Sequence, residues 1–149
     1  MPMAGSVRVG GESGSSGFER GHDLERVVFF SDAVFAIAMT VLALSLRLPP
    51  TTTDHGVARA LGDAVPSIYS YALSFTIIGL YWLAHHRMFR YICQLDPGLL
   101  LLNLVMLGVV AFVPFPTSVL GDHNATTAAV VFYAATMALL GALASALWA

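Results

Sequence analysis

Asp32 lies several residues inside an apolar stretch that opens at Arg26-Val27-Val28-Phe29-Phe30-Ser31 and runs to Leu48. A carboxylate in a bilayer persists mainly where it pairs, faces water or serves a path for ions or protons. Arg26 cannot be its partner along one helix, because six residues carry the chain about 240° around the axis. Each of the two therefore needs a group on another helix or another subunit. Trp82-Leu83-Ala84-His85-His86-Arg87 supplies candidates, at the far end of a second apolar stretch. A carboxylate, an arginine, an imidazole and an indole N–H at one depth form a network that fixes a helix rigidly, since an unpaired member is costly. The plainer reading has Asp32 capping a frayed helix start, with His85 and His86 in water.

A second pattern follows Asp32. Ala33, Ile37, Thr40 and Leu44 recur at helical spacing and share one stripe. Aliphatic rings on such a stripe could constrict and dewet a pore, and a hydroxyl could touch a passing ion. Phe35, Leu42 and Leu46 fall on the opposite side and suit lipid or neighbouring helices. Periodicity alone favours ordinary helix packing, with Thr40 bonding the carbonyl four residues back.

Other chemistries find little support. His85 and His86 point about 100° apart on a helix, so one metal ion does not easily take both. His22, His55 and His123 lie in the tail or loops, and no cysteine cluster joins them. No metal site, cofactor, nucleophilic triad or phosphate loop is expected, and the chain reads as a non-enzyme. Cys93 is the single cysteine and reads as an interfacial apolar filler. Asn124-Ala125-Thr126 matches a glycosylation acceptor, a short and weak motif.

The elements that hold these residues are membrane-length helices. Hydrophobic residues make up 57% of the chain and charged residues 11%, against about 25% charged in a soluble domain. With no lysine and a formal charge of −2, there is no basic patch for nucleic acid. Residues 1–25 are rich in Gly and Ser and read as a disordered cytoplasmic tail, without the apolar run of a signal peptide. Residues 26–149 form the membrane domain, all-α, with helices expected at about 27–48, 65–84, 97–120 and 125–148. Each approaches the roughly 20 residues a span requires. Pro49-Pro50 stops the first, Pro66 suits a first turn, and Asp96-Pro97 reads as a cap followed by proline. The third reaches full length only by continuing through a kink at Pro114 and Pro116.

Arginine placement predicts orientation. Arg8, Arg20, Arg26, Arg87 and Arg90 fall on one side, and only Arg47 and Arg59 on the other. The N-terminus, the Arg87 loop and the C-terminus are therefore expected in the cytoplasm. Tyr81, Trp82, Phe89, Tyr91 and Trp148 lie near the predicted interfaces, as an aromatic belt requires. Gly79, Gly108 and Gly141 are isolated and form no dimer motif.

Three stretches resemble the transmembrane protein 175 family of potassium-permeable channels: Arg26-x-x-x-Phe30-Ser31-Asp32 running on to Thr40, Tyr81 to Phe89, and Val113 to Ser118. The resemblance covers about Arg26 to Leu120. It implies that the first helix lines a pore and that Arg26, Phe30, Ser31 and Asp32 belong to the motif stabilising it. Ile37 matches the hydrophobic constriction, Thr40 a hydroxyl linked to selectivity, and Leu44 a further aliphatic layer. Trp82 and His85 match the polar partners. It also implies a homotetramer in a prokaryotic plasma membrane, passing potassium without the Thr-Val-Gly-Tyr-Gly filter, which this sequence lacks. The family repeat has six helices and four are read here, so a form shortened after its fourth helix is expected. Two rivals remain at this point: a non-conducting membrane scaffold, and a proton-coupled carrier using Asp32 and His85 as a relay.

Overall fold

The computed structural model describes the backbone of residues 15–48, 50, 53–92, 96–122 and 126–149, with side chains from Leu24 onward. Cys93, His123 and Asn124 lie outside the described residues, as do Arg8 and the side chains of Arg20 and His22. Six helices follow in order: α1 (Ser15–Leu44), α2 (Asp54–Asp63), α3 (Val65–Phe89), α4 (Pro97–Phe112), α5 (Pro114–Asp122) and α6 (Thr127–Trp148). Among the described residues, four stretches are long and apolar enough to cross a membrane: Leu24–Leu44, Val65–Phe89, Pro97–Asp122 and Thr127–Trp148. The fold is an all-α membrane bundle with four spans.

The first helix, expected to reach Leu48, ends at Leu44, and three further differences from the sequence expectation each have a physical reason. The helix expected from about Val27 starts at Ser15, so residues 15–25 are helical where a disordered tail was expected. Extending an existing helix adds one hydrogen bond per residue fixed and avoids the unfavourable nucleation step. The second span was expected to end near Ala84, but α3 continues to Phe89. His85, Met88 and Phe89 fall on one face and are buried, while His86, Arg87 and Arg90 face outward. The basic cluster therefore does not interrupt the helix. Finally, the loop between the first two spans contains α2. Thr53 caps it, its hydroxyl accepting the Gly56 N–H at 3.1 Å, and Ala60 is buried.

The third span is two helices joined at Val113. Asp96 caps α4, its carboxylate accepting the Gly98 N–H at 3.0 Å, with Pro97 in the first turn. At the other end, Pro114 and Pro116 lack N–H groups, so each removes a bond of the helical ladder and crowds the carbonyl four residues back. Val113 keeps helical dihedrals (φ −51°, ψ −36°), and Thr117 restores the path by bonding the Val113 carbonyl through both its N–H at 3.1 Å and its hydroxyl at 2.8 Å.

α1 packs on α3 and α4, α6 on α4 and α5, and α3 on α5. Phe35, Leu42, Ile78, Met106, Leu107, Val110, Val113 and Leu140 fill the core between them. α5 approaches α3 closely: a Cβ added at Gly121 would lie 2.9 Å from the Cα of Ser67. Only a glycine fits there without moving a backbone.

Candidate functional site: the two faces of the first helix

Ser31, Phe35, Ala38 and Leu42 are buried and recur at i, i+4, i+7 and i+11. This row is the inner face of α1. The stripe of Ala33, Ile37, Thr40 and Leu44 has the same spacing shifted by two residues, which sets it about 200° away. Its members are all exposed in the single chain, Ile37 at 61% and Leu44 at 70%. Nothing within this chain covers the stripe among the described residues.

The inner face is tied down by directed hydrogen bonds. The Nε1–H of Trp82 donates to Oδ1 of Asp32 at 2.7 Å, joining α3 to α1. Nε2 of His85 lies 2.8 Å from Oδ1 of Asn103. A carbonyl oxygen can only accept, so Nε2 carries the proton. The Asn103 amide in turn donates to Oγ of Ser31 at 3.2 Å, and Ser31 donates to the Val27 carbonyl at 2.9 Å. Imidazole, amide, hydroxyl and backbone thus form one chain across α3, α4 and α1. His85 is held between Phe35 and Phe89, with ring centroids 5.5 and 4.5 Å away. Ser31, His85 and Asn103 are buried, and Asp32 and Trp82 are half-buried.

The structure brings together Ser31, Asp32, Trp82 and His85, but not every residue named with them. Arg26 is exposed and joins none of these hydrogen bonds among the described residues. Phe30 is 53% exposed and stands on the outer side with the stripe. The central residue of the network, Asn103, escaped the reading of the sequence. Its signal was there: it is the one amide in the apolar run from Leu99 to Val113, and a lone polar group at membrane depth marks a partnered site.

Thr40 differs from the packing reading in a small way. Its hydroxyl donates to the carbonyl of Ile37, three residues back rather than four, at 2.8 Å. The proton is directed into the backbone, which leaves the oxygen lone pairs facing outward from an exposed position. Such an oxygen can accept from water or contact a cation but does not present a donor.

The family described as endosomal/lysosomal potassium channel TMEM175 matches residues 26–114, from Arg26 within α1 to the first proline of α5. The chain belongs to this family. TMEM175-family relatives include a protein named a potassium channel in Streptomyces collinus, 40% identical over 127 residues, covering 83% of this chain and 62% of the relative. Another, named a potassium channel in Chamaesiphon minutus, is 33% identical and covers 83% and 63%. A crystal structure of a lysosomal potassium-selective channel TMEM175 homolog from Chamaesiphon minutus superposes with a TM-score of 0.80 at 32% identity, over 85% of this chain and 70% of that one. The chain spans a little over three fifths of the length of each of these two relatives. TMEM175 is a channel family and not a class of enzyme.

Proposed function

We propose that this TMEM175-family chain forms a passive potassium-permeable channel whose pathway is lined by α1 from several copies, four in the arrangement the family resemblance implies. The observation carrying this reading is the two-sidedness of α1. One face is pinned by a polar network, and the opposite face offers Ala33, Ile37, Thr40 and Leu44 to whatever lies outside the chain. In this arrangement Ile37 forms the narrow apolar ring and Leu44 a second one. Thr40, with its oxygen turned outward, contacts the permeating potassium ion. Apolar rings of this kind gate by dewetting. Arg26 and Phe30, exposed on the single chain, are placed to meet a neighbouring copy. The names of the bacterial relatives support potassium as the ion. The arginine bias supports a cytoplasmic N-terminus in a prokaryotic plasma membrane.

The test is potassium flux into liposomes from reconstituted protein, with and without a proton gradient. The channel reading expects flux that needs no proton gradient. It also expects Ile37→Asn to raise the leak by about tenfold or more as the constriction wets. Unchanged flux in Ile37→Asn would remove Ile37 from the gate. No flux from well-formed oligomers would favour the scaffold reading. Flux driven only by a proton gradient, and lost in Asp32→Asn, would favour the carrier.

A further inference from the structure

At the C-terminal end of the stripe, sharing Leu44 with it, a groove of about 680 Å³ opens between the end of α1 and the junction of α4 and α5. This volume falls within the range of about 300–1,000 Å³ typical of sites for small ligands. Its body is apolar, walled by Val41 and Leu44 on one side and by Phe112 and Phe115 on the other. Its mouth lies where the helices end. There Arg47, just past α1, and Asp122, the last residue of α5, both line it. Ser45 and Ser118 also line it, but their hydroxyl protons are directed to their own helices, to the carbonyls of Leu42 at 2.6 Å and Phe115 at 2.8 Å. The selective features of the mouth are therefore one cation and one anion.

We infer that this groove seats a single phospholipid whose headgroup is zwitterionic and carries a primary ammonium, as in phosphatidylethanolamine. The groove opens from the apolar depth of a span to its end, which is the course of one acyl chain and its headgroup. Arg47 presents the planar donor set that grips a phosphate, and its stem can lie along the apolar wall while the charge reaches the interface. Asp122 accepts from an ammonium N–H. An anionic headgroup would satisfy Arg47 but meet repulsion at Asp122. A quaternary ammonium would be attracted to Asp122 but has no N–H to donate to it. Charge and hydrogen-bonding capacity together select the primary amine.

The full chain, purified in mild detergent, would be incubated with equimolar phosphatidylethanolamine, phosphatidylcholine and phosphatidylglycerol, and the retained lipid counted by native mass spectrometry. Phosphatidylethanolamine is expected to be retained about tenfold over either competitor, the ratio set by one charge-assisted hydrogen bond. Arg47→Gln should lower retention of phosphatidylethanolamine and phosphatidylcholine alike. Asp122→Ala, which removes the acceptor, should abolish the preference between them while binding continues. Equal retention of the three lipids by the unaltered protein would overturn the inference, and this comparison needs no variant to fold. If Arg47→Gln lowered the subunit count while no lipid was retained by either form, a second copy would occupy the groove, and the inference would also fail. The readout is bound lipid and not flux, so a failure here leaves the channel reading standing, and the reverse holds as well.

Discussion

Among the described residues two polar clusters join the helices of this bundle, and they are built of different chemistry. The first joins α1, α3 and α4 through two sets of bonds, Trp82 to Asp32 and the chain from His85 through Asn103 to Ser31. The second joins α3, α5 and α6 through hydroxyls alone: Ser74 lies 3.0 Å from the Tyr133 hydroxyl and 2.8 Å from that of Thr117. An amide or an indole has a fixed donor in a fixed direction, so each bond of the first cluster dictates the next. A hydroxyl rotates and both donates and accepts. The single proton of Thr117 has two acceptors within reach, Ser74 and the Val113 carbonyl, and the cluster can redistribute when one member changes. The first cluster is therefore brittle and fixes the rotation of α1. The second tolerates change, and the placement of α5 falls more to close backbone packing at Gly121.

That contrast is open to direct attack, beginning where the effect should be greatest. Asn103→Ala removes the acceptor of His85 and the donor to Ser31 together, leaving two buried groups to find new partners. A loss of up to about 3 kcal/mol is expected in reversible unfolding, two interhelical bonds at the upper end of about 1.7 kcal/mol each in membranes, with a fall in oligomer yield. A loss below that of any hydroxyl variant would erase the distinction between the clusters. Gly121→Ala comes next, because its methyl meets a backbone atom of α3 and not a flexible side chain. About 1–3 kcal/mol is expected from overpacking, and an unchanged thermal midpoint would show that α5 is free to move.

Asp32→Ala should follow at about 1–2 kcal/mol, since it leaves the indole N–H of Trp82 without its acceptor. Oligomer yield is expected to drop before ion selectivity changes. Asp32→Asn retains an acceptor oxygen and should assemble nearly normally. Full assembly of Asp32→Ala with altered selectivity would move Asp32 from the supporting face to the ion path. The smallest effect is expected for Tyr133→Phe, about 0.6 kcal/mol, the average for interhelical hydrogen bonds in membranes. Ser74 and Thr117 can still pair with each other, so a loss above about 2 kcal/mol would show that this cluster is not adaptable.

The reading of single residues shows what kind of information was local. Asp96-Pro97 announced the start of α4, and Pro114 and Pro116 announced the break into α5, because caps and missing donors act within one turn. α2 was not anticipated. Its cap at Thr53 is a local signal, but Gly56 and Gly62 are poor helix formers, and ten residues of mixed polarity are too short to read as a span. Asn103 was visible as a solitary amide, yet its partners lie 18 and 72 residues away, and no local rule links them.

By itself the sequence determined four spans and their approximate limits, and it offered Asp32 and His85 as candidates for a polar network without fixing that they form one. Composition and length suffice for this because hydrocarbon accepts only helices of a set length and penalises every unpaired polar group. Only the tertiary structure decided which side of α1 turns inward. Both of its faces are apolar, and lipid is as apolar as a protein core, so the usual contrast between inside and outside is absent from the pattern. The choice was made by contacts: a hydroxyl at Ser31 that meets an amide on α4, a carboxylate at Asp32 that meets an indole on α3, and a small Ala38 between Phe35 and Leu42 that lets the helices close.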